Sequence, residues 1–304
     1  MKPTLAIAAA VGLALVVVSA CSSGGGGATS STAPPPTSIT LGPDSPQIKQ
    51  AVAEYKTYAQ GQVTEIVTLT RKLTDAVRAG DLAAAQAAYA PSRVPWERIE
   101  PIAGLVEEID GKVDARVDDF AGVDDPAFTG WHRLEYLLFA QNTTAGGKPF
   151  ADQLDADLAV LQQQFGPLEI PTTDVAIGSS ELIEEVSKGK ITGEEDRYSK
   201  TDLWDFHANL EGSQAVIDKL SPALQQANPT LLADIKAGFA ALTASLAPLR
   251  SGDGWQLYCL ANDEYPSPRC PAVTVPPALV DTLKAQLAGL SEKTSLVAGA
   301  LGLK

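Results

Sequence analysis

The sequence predicts an all-α protein of two packed up-and-down helical bundles, each of about four helices, with a cleft between them. Three observations support this prediction. Apolar residues recur every three or four positions along most of the chain after residue 45, which is the period of an amphipathic helix. Proline and glycine divide this pattern into about eight segments. No alternating run of β-branched or aromatic residues is long enough to require a sheet.

The first 45 residues are expected to lie outside the folded part. Residues 1–20 join Lys2 to a short apolar run, which is typical of an export signal peptide rather than a membrane span. Cys21 directly follows Val-Ser-Ala, as in bacterial lipoprotein signals, so we predict that Cys21 is lipidated. The alternative is an ordinary signal peptide that leaves Cys21 as an unpaired thiol. Residues 21–45 are rich in Gly, Ser, Thr and Pro and are predicted to be a flexible tether.

These features predict a protein anchored by lipid on the extracytoplasmic side of the cell membrane, in the periplasm or cell envelope. The formal net charge is -14 at pH 7. That sign disfavours nucleic acid as a partner and favours cations or basic surfaces. Cys259 and Cys270 are the remaining cysteines. An even pair at short separation in an exported protein indicates a disulfide.

Caps and helix breakers divide the folded part, residues 46–304, into predicted helices. In the first half these cover 46–80, 81–90, 94–109 with a kink at Pro101, 125 to about 145, and 150–165. In the second half they cover 174–188, a segment that begins after Thr201, 229–249 and 277–301. Pro167 and Pro171 interrupt the pattern. We therefore predict an N-terminal bundle over 46–168 and a C-terminal bundle over 169–304.

One segment combines a histidine and a carboxylate inside an apolar run. His132 and Glu135 are three residues apart, so they share one face of a helix and could hold one ion. Imidazole and carboxylate together suit iron, zinc, manganese or copper. A buried histidine with a hydrogen-bond partner is nevertheless the commoner explanation of such a pair. Glu97 and Glu100 repeat the spacing beside apolar residues, and Asp114 follows them.

Several stretches together resemble the imelysin-like family. The segment Gly130-x-His132-x-x-Glu135 is similar to the family's G-x-H-x-x-E signature. Residues 90–101, 114–116 and 191–206 resemble motifs of its EfeO-type branch, whose members serve in extracytoplasmic uptake of elemental iron. The chain resembles the shorter EfeM-type form, which has this domain without an N-terminal cupredoxin domain.

The resemblance implies a two-bundle fold that captures Fe²⁺ or Fe³⁺ and passes it to a membrane permease, assisted by a secreted haem peroxidase. His132 and Glu135 take the signature positions, and Glu97, Glu100 and Asp114 match a second acidic metal-binding group. Glu195 and Asp202 lie in another family motif and are possible additional cleft residues. Zn²⁺ or Cu²⁺ would suit the same donors.

Three alternatives to iron binding have features that the sequence can test. The family also has a peptidase label, but a common zinc peptidase needs two histidines one turn apart in H-E-x-x-H. His132 and His207 are the only histidines, and neither lies in that motif. The sequence therefore predicts no enzyme. A surface lipoprotein that binds acidic polysaccharides such as alginate through a metal is the second alternative. A di-iron oxidase needs two Glu-x-x-His motifs and is discarded.

Overall fold

The computed structural model describes residues 41–303, so the predicted signal peptide, Cys21 and most of the tether lie outside the described residues. Helices dominate this part of the chain, which confirms the all-α class. The α-helices are Pro46–Ala79 (α1), Leu82–Glu97 (α2), Glu107–Val113 (α3), Gly130–Glu135 (α4), Lys148–Phe165 (α5), Thr172–Lys188 (α6), Asp202–Ala227 (α7), Pro229–Leu246 (α8), Pro277–Thr294 (α9) and Val297–Leu301 (α10).

Short irregular segments join the helices. The 3-10 turns are Glu100–Val106, Val117–Asp119, Lys190–Thr192 and Ala247–Leu249, and a π-helical turn spans Tyr136–Ala140. Two short strands, Arg250–Ser251 (β1) and Gly254–Trp255 (β2), pair antiparallel. Cys259 and Cys270 form a disulfide, with their Cα atoms 5.4 Å apart.

The long helix α1 touches both predicted halves, as do α2 and the 3-10 turn Glu100–Val106. It begins at Pro46 and ends at Gly80, whose φ of 76° is the left-handed conformation that glycine adopts easily. Ser45 occupies the expected N-cap position, but its hydroxyl donates to Gln47 Oε1 at 2.8 Å instead of accepting a first-turn amide. The buried face of α1 packs against α2 and α5 from the first half and against α6 and α7 from the second.

Helix α2 is longer than the sequence predicts. Asp81 caps it as expected, but the helix continues through Pro91 and Pro95 to Glu97 instead of ending at residue 90. A proline inside a helix costs roughly 3 kcal/mol because one hydrogen bond is lost. Burial of most of the last two turns offsets this cost. The continued helix places Arg93 one turn before Glu97 on the buried face.

The predicted continuous helix over 94–109 does not form; the end of α2, a 3-10 turn and the start of α3 take its place. Pro101 has no amide hydrogen for a helical bond, and the chain tightens into a 3-10 turn from Glu100 to Val106 before α3 begins. Likewise the predicted helix over 277–301 is interrupted at Ser295 and Leu296, which separate α9 from α10.

The helix that carries His132 begins later than predicted. Around Asp125 the chain forms a turn, because the Asp125 carboxylate accepts the amides of Ala121 and Ala127. Helix α4 starts at Gly130, whose φ is 75° and whose missing Cβ would lie 2.2 Å from the carbonyl oxygen of Val113. Apolar side chains of this segment are buried and anchor it, namely Trp131, Leu134, Leu137 and Leu138.

In the second half the predicted helices are present with shifted ends. The apolar periodicity of residues 174–188 places Ile177 on the inner face of α6, but it is 39% exposed. The reason is a close approach between α6 and the 3-10 turn: a Cβ on Gly178 would lie 1.7 Å from the Pro101 carbonyl oxygen. Because Gly178 takes the contact position, its neighbour Ile177 is turned toward solvent.

Within the described residues, Pro229–Leu249 is the one segment long and apolar enough to cross a membrane by length and composition alone. A core helix meets the same criterion, and α8 packs its buried leucines against α7 and α9. Residues 41–303 lie within one compact unit. The division into bundles at residue 168 stays a prediction.

Candidate metal centre

Elements from both predicted halves bring acidic side chains into one buried region. Within the described chain it holds eight carboxyl groups, which outnumber their basic partners, the buried Arg93 and Lys190 and the partly exposed Arg116. Lys200 is also buried nearby, but it pairs with Asp263 outside this group. The carboxyl groups are Glu97, Glu100, Asp114, Glu135, Glu195, Asp196, Asp202 and Asp205. Buried charges are costly unless they are paired. The excess of carboxylates therefore favours a bound cation or bound protons.

His132 lies at the centre of this region. Its Nε2 atom is 3.6 Å from Asp114 Oδ1 and 3.5 Å from Glu195 Oε1, and its Nδ1 atom is 3.3 Å from Glu135 Oε2. The Nε2 atom of His132 is buried and forms no hydrogen bond with any atom of residues 41–303. Asp114, His132 and Glu195 each offer one ligand atom, and these atoms lie within 4.8 Å of one another. This trio is called the outer set below.

A second group meets the same distance criterion and is fully buried. It consists of His132, Glu135 and Asp196. We call it the inner set. Both sets combine one imidazole with two carboxylates, donors that suit iron, zinc, copper or manganese.

Only the outer set reaches solvent-accessible space. Asp114 and Glu195 line a cavity of about 470 Å³. A neighbouring cavity of about 480 Å³ shares three acidic lining residues with it, Glu100, Asp110 and Glu185. These two cavities together are called the acidic cleft. Carboxylates along its walls raise the local concentration of cations, so an ion entering the cleft would meet the outer set first.

Arg93 lies against the outer set from the protein side. Its side chain is fully buried, and it donates from Nη1 to Asp114 Oδ1 and from Nη2 to Glu195 Oε1, the second bond at 2.7 Å. It also donates to Glu97 Oε1 and, through Nε, to Asp205 Oδ1 at 3.3 Å. The guanidinium thus contacts the same two oxygens that lie nearest His132 Nε2.

Lys190 forms ion pairs with Glu97 and Glu100, two further carboxylates that the sequence predicts for the site. Its Nζ donates to Glu97 Oε2 at 2.9 Å and to Glu100 Oε1 at 2.8 Å. Asn209 Nδ2 donates to the same pair, at 2.8 Å to Glu97 Oε2 and 2.6 Å to Glu100 Oε2. Arg93 links Glu97 to Asp114, and Asp114 lies 3.6 Å from His132 Nε2. The His132/Glu135 pair and the Glu97/Glu100/Asp114 group therefore belong to one connected network.

The environment sets the protonation of the outer set. Burial and the nearby Arg93 lower the pKa of His132, but the close carboxylates of Asp114, Glu135 and Glu195 outweigh them and raise it well above its ordinary value. Burial opposes ionisation of Asp114, yet Arg93 and His132 hold its pKa below the ordinary range. Lys190 and His132 do the same for the pKa of Glu195, against its burial. A metal ion would replace the imidazole proton.

The pKa of Glu100 is shifted in the opposite direction from those of Asp114 and Glu195. Burial and the adjacent Glu97 raise the pKa of Glu100 well above its ordinary value, although Lys190 opposes them.

Glu135 and Asp202, the remaining predicted residues, hold nearby backbone segments in place through hydrogen bonds. Glu135 Oε1 accepts the backbone amides of Tyr198 at 2.8 Å and Ser199 at 2.7 Å. Asp202 is buried at the start of α7, and its Oδ1 accepts the amide of Asp196 at 3.2 Å. In the described chain Asp202 belongs to neither set. It shapes the segment that carries Glu195.

The sequence prediction missed several residues of the network, among them Arg93, Lys190, Asp196, Asp205 and Asn209. A signal for two of them was present in α7. Asp202, Asp205 and Asn209 recur at helical spacing on a buried face, where apolar residues are the rule. Arg93 and Glu97 form an i, i+4 pair in a segment otherwise rich in Ala, Pro and aromatic residues.

A helical protein whose core gathers carboxylates around one histidine, beside an acidic cleft, belongs to the class of candidate cation-binding proteins. The chain belongs to the imelysin family (peptidase M75), whose sequence profile matches residues 51–266. This confirms the family predicted from the motifs.

Among curated proteins, the chain is similar to the iron uptake system component EfeO. It is 46% identical to that of Escherichia coli O157:H7 over 254 residues, which are 83% of this chain and 64% of that protein. The EfeO proteins of Escherichia coli K12 and Shigella flexneri are 45% identical over the same shares. The chain thus spans slightly less than two thirds of the length of these relatives.

Proposed function

We propose that this protein is an extracytoplasmic iron-binding component of an iron uptake system. It captures Fe²⁺ or Fe³⁺ in the acidic cleft and passes the ion to a membrane permease. The observation that carries the proposal is the unpartnered Nε2 of His132 among the described residues, 3.5–3.6 Å from carboxylate oxygens that line the cleft. The printed name of the curated relatives, iron uptake system component EfeO, supports the same reading.

Each residue has a distinct part in this proposal. Asp114, His132 and Glu195 bind the ion, since they are the trio that the cleft reaches. Glu135 contacts Nδ1 of His132 and fixes the direction of the ring, as carboxylates commonly do for metal-binding histidines. Glu97 and Glu100 are the other two members of the second acidic group, to which Asp114 also belongs, and Lys190 donates hydrogen bonds to both.

The proposal extends to partners and location. A lipid on Cys21 would hold the folded part near the outer face of the membrane, the permease would receive the iron, and a secreted haem peroxidase would assist. Zn²⁺ and Cu²⁺ suit the same imidazole and carboxylate donors. A carrier has to release its cargo, and three protein ligands at an open cleft serve that need better than a closed cage.

Iron titration of the metal-free protein tests the ligand assignment. Isothermal titration with Fe²⁺ under anaerobic conditions, and with Fe³⁺ from a weak chelator, should give binding that Asp114→Asn, His132→Gln and Glu195→Gln each weaken at least about tenfold. Glu292→Gln is the matched control, because Glu292 is exposed on α9 far along the chain from these residues. If all three variants bind iron as tightly as the wild type, Asp114, His132 and Glu195 are not the iron ligands.

Crystals soaked in iron give an independent readout. We expect an anomalous-difference peak within coordination distance of His132 Nε2. If saturating iron produces no peak at the outer set or at the Glu97/Glu100 group, the site is not where we place it.

Polysaccharide binding and peptidase activity, the two alternative functions, would each give a different experimental result. Binding of alginate without any metal would favour a polysaccharide-binding lipoprotein, although the negative charge opposes a polyanion unless a cation bridges the two. Zinc-dependent cleavage of an unstructured polypeptide would favour a peptidase. Against the peptidase, the second histidine lies elsewhere: His207 stacks near Trp255, with ring centroids 5.0 Å apart, and contacts Arg250.

A further inference from the structure

Arg93 contacts the two oxygens that the outer set would offer to a cation. Its Nη1 donates to Asp114 Oδ1, and its Nη2 donates to Glu195 Oε1 at 2.7 Å. The same two atoms lie 3.6 and 3.5 Å from His132 Nε2. The Arg93 side chain has no exposed surface, so solvent cannot screen its charge from an ion bound there.

We infer that Arg93 is a tethered cation that competes with the bound ion for Asp114 and Glu195, and so lowers the affinity of the site to a level that permits release. This inference rests on the proposed function, because it concerns the same outer set. It makes Arg93 a residue that sets affinity without binding the metal itself.

The competition has two physical parts. The guanidinium donates hydrogen bonds into lone pairs of the oxygens that would coordinate the ion, so an ion that takes those same lone pairs lengthens or redirects the bonds. The two positive charges also repel each other in an interior that screens charge weakly. The repulsion grows in proportion to the charge of the ion, so a trivalent ion is penalised more than a divalent one.

Arg93 can give up these two bonds without becoming an unpaired buried charge. It also donates to Glu97 Oε1 and to Asp205 Oδ1, neither of which belongs to the outer set. After an ion takes Asp114 and Glu195, the guanidinium keeps two carboxylate partners. An arginine held by the outer set alone would instead resist displacement, because a stranded buried charge is strongly unfavourable.

Neutralising this charge tests the inference. Arg93→Gln and the wild-type protein are titrated with Zn²⁺ and with Ga³⁺, a trivalent ion without redox chemistry. We expect the variant to bind Zn²⁺ at least tenfold more tightly and to gain several-fold more for Ga³⁺ than for Zn²⁺. Arg93→Lys keeps the charge and should stay within about threefold of the wild type. Release of each ion to a chelator should be slower in Arg93→Gln.

The control is an arginine of the same segment outside the cluster. Arg98 follows α2 directly and pairs with Glu211 at 2.9 Å, so Arg98→Gln should bind both ions as the wild type does. If folded Arg93→Gln binds the ions equally or more weakly, Arg93 supports the site rather than competes with it, and the inference is wrong. If the wild type binds neither ion, the proposed function fails first and the inference fails with it.

A measurement on the wild type covers the case in which Arg93→Gln does not fold. Crystal structures with and without Zn²⁺ should show both guanidinium bonds, to Asp114 and to Glu195, lengthened beyond hydrogen-bond distance when the ion is bound, while the bonds to Glu97 and Asp205 persist. Unchanged bonds to Asp114 and Glu195 beside a bound ion would overturn the inference.

Discussion

Glu135 Oε1 accepts the backbone amide of Ser199 at 2.7 Å, a bond that joins the helix of His132 to a segment 64 residues further along the chain. The loop closed by the Cys259–Cys270 disulfide holds this segment from the other side. In that loop Ser267 Oγ donates to the Tyr198 carbonyl at 3.3 Å, and Arg269 donates to the Ser199 carbonyl. The disulfide loop therefore helps to position the amides that orient Glu135.

We expect Cys259→Ser/Cys270→Ser to lower the free energy of unfolding by about 2–3 kcal/mol, the entropic effect of closing a loop of this length. Iron binding should also weaken severalfold, because the segment carrying Glu195 loses part of its support. Urea unfolding and iron titration check the two effects. Reduction of the wild type with dithiothreitol should reproduce both, and unchanged stability in either experiment would contradict the expectation.

Gly130→Ala should destabilise the start of the His132 helix. The backbone at Gly130 has φ of 75°, and an added Cβ would lie 2.2 Å from the Val113 carbonyl oxygen. The conformation alone costs about 1–3 kcal/mol for a residue with a side chain, and the clash adds to it. Gly146→Ala is the control: its φ is 78° but nothing lies within 4 Å of the added atom. In urea unfolding, equal losses for both variants would show that the close contact has no effect.

Gly212→Ala should force α7 away from the end of α2. The added Cβ would lie 2.3 Å from the Arg98 carbonyl oxygen, which is backbone and cannot rotate aside. We expect a loss of about 1–3 kcal/mol from overpacking and weaker iron binding, since α7 carries Asp205 and Asn209. Gly289→Ala on α9 meets nothing within 4 Å and should instead stabilise the protein by about 0.5–1 kcal/mol. A Gly212→Ala protein as stable as the wild type would argue against this close helix contact.

Asp110 gives a pH dependence that can be measured without metal. Burial and the neighbouring Asp114 raise the pKa of Asp110 to about 7 in the folded protein, from an ordinary value of 3.8. Above pH 7 the carboxylate is ionised in both states, so the full cost of burying its charge is present. As the pH falls from 7 toward 4, the folded state takes up a proton and the cost disappears.

Asp110→Asn carries no charge at any pH. In thermal unfolding at pH 8 we expect its Tm to exceed that of the wild type by about 2–4 °C, the shift that about 1 kcal/mol produces in a protein of this size. The difference should shrink at pH 5. A difference that stays constant or grows on acidification would have the wrong sign for a raised pKa.

Local signals were sufficient to predict most helices and one contacting pair of the candidate site. The period of the apolar residues and the breaks at Gly80, Pro167 and Pro171 are properties of short segments, so α1, α5 and α6 were found near their observed ends. The contact of His132 with Glu135 follows from three-residue spacing within one helix.

Features that depend on distant parts of the chain were missed. Arg93 and Lys190 matter because they contact carboxylates 102 and 93 residues away, respectively. Ile177 lies on the apolar face that periodicity assigns to the core. It is exposed because Gly178, which has no side chain, is the residue of α6 that packs against the backbone of Pro101. Proline breaks helices by local rules, but burial keeps α2 helical through Pro91 and Pro95.

The charge network also constrains the order in which this chain folds. The partners of Glu97 include Lys190 and Asn209, which follow it by 93 and 112 residues. Until the segments that carry Lys190 and Asn209 have packed against α2, Arg93 is the charged partner that the N-terminal helices supply to Glu97 and Asp114. Contacts of such long range are formed late and slow the overall rate. We expect the apolar packing of α1 with α2 to come early and the cation site to be completed last, so that iron can bind only to a finished chain.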